Sequence, residues 1–305
     1  LGGLVIMFMD QLVTKWGFGS GISLFIVGGV AQQVFIRAFN FLPSPTNPDI
    51  AAGAIPAFFQ SLTAGDVTTA TLQMAAVIST IVVFAICVYA QSMKVEIPLS
   101  FGKVRGQGIR WPLNFFYTSN IPVILVAALM ANVNLFASLL EKWGFPILGR
   151  FSGNSPISGL AYWLSSPDLV QNIIKGSFNI SQLGQALIYI TVFMVGSVIF
   201  SIFWMQTANM DARSQAKQIL SSGLQISGFR SDERVLEKIL SRYIWPLTIV
   251  GGASVGLLAA LADLTGALSG GTGMLLSVMI VYKLYEDIAK HHMMDMHPAL
   301  RKMME

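Results

Sequence analysis

The sequence predicts an all-α fold, a polytopic bundle of transmembrane helices, on three observations. Of 305 residues, 54% are hydrophobic and only 11% are charged, and mean hydropathy is +0.64, a balance too apolar for a soluble domain of this length. Several apolar runs reach the length needed to cross a bilayer. The cations gather in alternate connections between those runs, as the bias of cytoplasmic loops toward Lys and Arg requires.

In order along the chain, Leu1 opens an apolar segment, LGGLVIMFMDQLV, that is too short to span and lacks the basic flank of a signal peptide. It is expected to be the tail of a helix begun upstream. Gly17 to Gly21 reads as a tight cytoplasmic turn beside Lys15, since it has neither dinucleotide spacing nor a P-loop lysine. Spans are then predicted at Ile22 to Phe41, Thr71 to Ala90, Ile121 to Leu140, Ala186 to Gln206 and Ile244 to Ala262, with a sixth at about Thr272 to Ile288. Leu42 to Thr69 carries no Lys or Arg and is external. Ile157 to Val170 is apolar but interrupted, a segment expected to lie against the membrane. Asn179-Ile180-Ser181 is a sequon that decides nothing by itself. The lone Cys87 lies inside an apolar run, so no disulfide or thiolate metal site is available.

Two long loops, 91–120 and 207–243, are placed in the cytoplasm. The first has Lys94, Lys103, Arg105 and Arg110 against Glu96 alone, with Gly102, Gly106 and Gly108 permitting a tight reversal. The second has Arg213, Lys217, Arg230, Arg234, Lys238 and Arg242 against four acids, and Ser231 is placed to cap a helix. Most of these cations serve topology. Lys103, Arg105 and Arg230, at loop tips away from the membrane, point instead to a phosphate-bearing partner.

Three features inside the spans stand out. Ile26, Val30, Gln33 and Arg37 share one helix face that turns from apolar to polar toward the outside. That face suits a helix buried in protein with Arg37 snorkelling outward, or the wall of an aqueous vestibule with an apolar waist. Asn132 and Asn134 interrupt an apolar span, and Ser197 and Ser201 stand at i, i+4, so these side chains are expected to face other helices. Gly252-Ala253-Ser254-Val255-Gly256 fits the nucleophile-elbow pattern, but within a membrane helix its small residues fit close helix approach instead. No catalytic residue, metal site or cofactor is assigned.

Five blocks in order, LVTKWGFGSGISLFI, VEIPLSFGKVRGQ, FFYTSNIPVIL, SGFRSDERVLEKIL and GGTGMLLSVMIVYKLYE, together resemble the SecY family, the large subunit of the protein-conducting translocon, in its archaeal style. The resemblance covers nearly the whole chain and implies a ten-helix channel fold of which most of the N-terminal half is absent. Residues 1–69 would be the remnant of that half, and 70–305 the C-terminal half. It further implies an apolar pore ring including Ile26, Val30, Ile124 and Leu276, a lateral-gate position at Asn132, and partner contacts at Lys103, Arg105 and Arg230. The implied partners are a SecE-like subunit, a small beta-type subunit, the ribosome, signal sequences, nascent polypeptides and membrane lipid, in the cell membrane. The other class weighed is a secondary transporter, for which ionisable residues at mid-span would be expected.

Overall fold

The computed structural model describes residues 2–17, 21–44, 50–101, 108–118, 121–153, 155–221, 224–225 and 232–296. Helices dominate: α1 (Gly2–Trp16), α2 (Gly21–Phe39), α3 (Ala54–Ala64), α4 (Val67–Ser92), α5 (Ile121–Lys142), α6 (Leu160–Trp163), α7 (Leu169–Ile174), α8 (Ile180–Thr207), α9 (Ala212–Ser221), α10 (Glu233–Leu264) and α11 (Gly271–Met296). The strands are β1 (Lys94–Phe101), β2 (Gly108–Asn114), β3 (Arg150–Ser152), β4 (Ser155–Ser158) and β5 (Leu224–Gln225). Among the described residues, α2, α4, α5, α8 and α10 are long and apolar enough to cross a membrane. The sixth expected span forms as α11, but Lys283, Glu286 and Asp287 fall within it and shorten its apolar part.

Several boundaries differ from expectation because a cap extends the helix. α10 begins well before Ile244 because the Asp232 carboxylate accepts from the Arg234 N–H at 3.0 Å, so Asp232 takes the capping role expected of Ser231, which lies outside the described residues. α8 starts six residues before Ala186, with Asn179 of the sequon as its cap. The external loop holds an unforeseen helix, α3, closed by Gly65 in the left-handed conformation (φ 77°). Asp66 then caps α4, accepting from the Thr69 N–H at 3.2 Å and the Thr69 hydroxyl at 2.6 Å.

The chain forms two compact units, residues 1–88 with 267–305, and residues 89–266. In the first, the segment before α11 ties helices together. The Leu268 N–H donates to Thr80 Oγ1 of α4 at 2.9 Å, and the Leu268 carbonyl accepts from Arg37 of α2 at 3.1 Å. Ala38, Ala54 and Leu268 are buried together beneath this junction.

In the second unit, α8 packs against both α5 and α10 through small residues. Without a hydrophobic drive between helices in lipid, close backbone approach supplies the attraction. A Cβ on Gly256 would lie 2.7 Å from Ser197 Oγ and 2.8 Å from the Phe193 carbonyl oxygen, and one on Gly252 would meet Ser201. The expected inward orientation of Ser197 and Ser201 is what the structure has, since both are fully buried. The same glycines explain the apparent nucleophile elbow, which is continuous helix.

Outside the spans, β1 and β2 pair antiparallel from Lys94↔Asn114 to Ser100↔Gly108. Alternation puts Val95, Ile97, Trp111 and Leu113 on one face, and leaves Lys94, Glu96 and Pro112 exposed on the other. Pro112 is tolerated because β2 is an edge strand in the order β2-β1-β5. The inward face packs on Met205, Ala216, Ile219, Leu236, Leu240 and Ile244, a water-driven core outside the spans that draws on both long loops. Tyr117 locks its edge by donating to the Met210 carbonyl at 2.6 Å. Burial, and secondarily the charge of Asp211, hold its phenol well above its ordinary pKa, so it remains the donor. Tyr117→Phe leaves that carbonyl short of a partner and is expected to cost about 1 to 3 kcal/mol, measurable as a lower unfolding midpoint in detergent.

Asp211 caps α9, accepting from the Ser214 N–H at 3.3 Å. Hydrogen bonding from the Ser214 side chain outweighs burial and, with lesser help from backbone N–H groups, holds its carboxyl below the usual range. Its contribution is therefore present above the unfolded-state pKa and lost as pH falls through the folded one.

Candidate functional site

The residues proposed from sequence divide between the two units. In the first, α2 and α11 run antiparallel, because Arg37 near the end of α2 meets Leu268, while Val30 lies beside Gly273 one turn into α11. A Cβ at Gly273 would stand 3.3 Å from Val30 Cγ2, so the glycine sets how closely the helices approach. Moving one helical turn from that contact toward the start of α2 brings Ile26 on α2 and Leu276 on α11 to the same level. Ile26, Val30 and Leu276 are all half-buried, whereas neighbouring Leu275 is 1% exposed and Val278 is 3% exposed. The three aliphatic side chains thus border the packed seam without being core.

Gln33 and Arg37 continue the α2 stripe outward and both are exposed. Arg37 is no free charge at mid-span. Its guanidinium is held in the last turn of α2 by the Leu268 carbonyl. Asp263 is likewise in the last turn of α10, where its carboxylate accepts from the Tyr189 hydroxyl at 2.9 Å. Both charges have structural work at span ends, and neither marks a transporter site at the midplane.

In the second unit, α5 buries Pro122, Val123, Val126, Met130 and Ala137, and Val126 packs beside Gly196 of α8. At 100° per residue, Ile124 and Asn132 both fall on the side of α5 away from that face, and both are exposed. Ile124 has 36% of its surface open. The Asn132 amide donates back to the Ala128 carbonyl at 2.9 Å, so within this chain it does not face another helix as the sequence suggested. Asn134 is the one turned inward: its Oδ1 is enclosed and lacks a hydrogen-bond partner among the described residues. Lys103, Arg105 and Arg230 lie outside the described residues; what is described is their base, the β1–β2 ladder and its pairing to β5 at Ser100↔Gln225 and Phe101↔Leu224.

No group of His, Cys, Asp and Glu among the described residues could hold a metal ion. The geometry offers instead an aliphatic border on antiparallel helices, an uncovered face of α5 carrying one apolar and one amide side chain, and a rigid extramembrane platform joining two loops.

Comparison with known sequences decides the family, because the SecY family profile matches residues 1–285. The chain belongs to the SecY family. It is 47% identical over 305 residues to the protein translocase subunit SecY of Methanothermobacter thermautotrophicus, covering 99% of this chain and 66% of that protein. It is 41% identical over 303 residues to the SecY of Methanocaldococcus jannaschii, with coverages of 99% and 65%. Among solved structures it resembles a SecY whose plug domain stabilises the closed state of the translocation channel, at 41% identity and a TM-score of 0.80, over 98% of this chain and 66% of that one. It also resembles Sec61 in a canine ribosome-channel complex from the endoplasmic reticulum, at 41% identity and a TM-score of 0.75, over 98% and 65%. The chain therefore spans about 65 to 66% of the length of these relatives. It is a multi-pass membrane protein of the archaeal SecY type.

Proposed function

We propose that this chain forms the larger part of the central subunit of a protein-conducting channel in the cell membrane. It conducts unfolded polypeptides across the bilayer, releases hydrophobic segments sideways into lipid, and performs no bond chemistry of its own. The observation that carries this reading is the match to SecY along residues 1–285, together with aliphatic side chains bordering an antiparallel helix pair. Ile26, Val30, Ile124 and Leu276 act as an apolar collar. Such side chains exclude water and ions, yet offer no directional bonds to a passing chain. Asn132, on the uncovered face of α5, belongs to the lateral gate, where a polar contact with the other half of the channel is weak enough to open. Residues 1–69 are the remnant of the N-terminal half and 70–305 the C-terminal half, a division by pseudosymmetry that differs from the two compact units. The partners are a SecE-like helix clamp, a small beta-type subunit, the ribosome, and the signal sequences and nascent chains it delivers.

Lys103 and Arg105 at the end of the first loop, with Arg230 in the second, are proposed to contact ribosomal phosphates. The pairing of β5 to β1 supports this, because it ties the two loops into one platform. Reversing Lys103 and Arg105 to glutamate in the full-length subunit is expected to weaken ribosome binding and to flatten its salt dependence by about 0.7 to 0.9 in log–log slope per lost phosphate contact. A co-sedimentation titration across salt measures both; an unchanged slope removes these residues from the interface.

A further inference from the structure

α10 crosses from a charged stretch into an apolar one at a single point. Glu233, Arg234, Glu237, Lys238 and Arg242 occupy its first turns, and Tyr243 to Ala262 carries no charged residue. At that boundary lies an open cleft of about 810 Å³ lined by Lys238, Arg242, Tyr243, Trp245 and Pro246. Lys238 and Arg242 are one turn apart on the same face, with Trp245 and then Ile249 continuing it toward the apolar side. Arg242, Tyr243, Trp245 and Ile249 are all exposed. The order from cytoplasm to bilayer is thus cation, cation, aromatic, aliphatic.

Glu233 on the same stretch is paired, while Arg234 stands one turn before Lys238 and adds to the positive charge. Arg213 and Lys217 pair with Glu233 at 3.8 and 3.9 Å, and Glu237 lines an adjoining cleft with Asp211 and Arg213 that meets this one at Ser241 and Trp245. Among the described residues, Lys238 and Arg242 form no ion pair. Pro246, which lines the cleft, has no N–H to give to the Arg242 carbonyl one turn back.

We propose that this cleft binds the headgroup of an anionic phospholipid from the cytoplasmic leaflet. Lys238 and Arg242 take the phosphate, Tyr243 and Trp245 sit at the headgroup level, and the hydrocarbon chains run down past Ile249. Charge complementarity and continuity with the lipid-facing side of α10 favour a lipid over a soluble phosphate, which would have no use for the apolar end.

The test is native mass spectrometry of the full-length subunit with phosphatidylglycerol and phosphatidylcholine supplied at equal concentration. The parent is expected to prefer phosphatidylglycerol by about tenfold, and Lys238→Ala with Arg242→Ala to lose at least about fivefold of that preference. Lys238→Arg with Arg242→Lys is expected to retain it, which separates loss of charge from loss of fold. In a second measurement free of the double substitution, brominated phosphatidylglycerol in mixed vesicles is expected to quench parent fluorescence more than that of Trp245→Phe. No preference in the parent, an unchanged double-alanine variant, or equal quenching overturns the site. Displacement of the lipid by millimolar inorganic phosphate, or capture of a polypeptide in place of lipid by a photo-crosslinker at Tyr243, overturns the lipid as its occupant.

Discussion

Replacing Gly256 with leucine is expected to prevent α8 and α10 from docking, and folded protein from accumulating in the membrane. The first added carbon would already stand 2.8 Å from the Phe193 carbonyl oxygen, a backbone atom that cannot rotate away, and 2.7 Å from Ser197 Oγ. Gly256→Ala carries the same clash with less volume and is expected to cost about 1 to 3 kcal/mol. Gly184, on α8 itself, is the internal control. A Cβ there meets only Trp163 at 3.7 Å, so Gly184→Ala is expected to be neutral or stabilising by up to about 1 kcal/mol through helix propensity. Membrane yield of Gly256→Leu and unfolding midpoints in detergent of the two alanine variants rank the three, and equal tolerance of all three would mean that α8 and α10 are not held by this seam.

The second large effect concerns the collar. Val30→Asn or Leu276→Asn in the full-length subunit is expected to wet the constriction and raise resting ion leak several-fold, with little loss of stability because both side chains are only half-buried. Leu275→Asn, one residue away, is expected to behave oppositely. With 1% of its surface exposed, it places an amide in packed core and costs about 2 to 5 kcal/mol, with no specific rise in leak. Planar-bilayer conductance combined with thermal unfolding separates the two behaviours. Leak at background in Val30→Asn and Leu276→Asn, accompanied by unfolding, would return these residues to the core.

Much of this was legible in the sequence because membrane helices obey simple constraints. Length and apolarity located the spans. Gly102, Gly106 and Gly108 indicated the reversal that follows β1. The small residues at 197, 201, 252 and 256 were each visible at i, i+4 spacing, but only the fold shows that the serine pair and the glycine pair meet one another. What escaped were contacts between segments distant in sequence. Nothing local in Leu224–Gln225 announces a third strand, since two residues carry no periodicity. Leu268 gives no sign that its backbone will join α2 and α4 through Arg37 and Thr80. Asn132 and Asn134 look equivalent in a list of residues, and only the face of α5 that packs on α8 separates the inward amide from the outward one. The α10 cap falls on Asp232, next to the expected Ser231, since adjacent polar residues compete for the role at any helix start.

The most direct measurement places a photo-activatable side chain, in turn, at Ile26, Val30, Ile124, Leu276 and Asn132 of the full-length subunit and presents a ribosome with an arrested nascent chain. Translocating polypeptide is expected to crosslink at the four collar positions and a signal sequence at Asn132, whereas the same probe at Ile97, buried in the core beneath the β1–β2 ladder, captures neither. Capture of the nascent chain at Ile97 as readily as at the collar, or at none of the five positions, would contradict a channel lined by these residues.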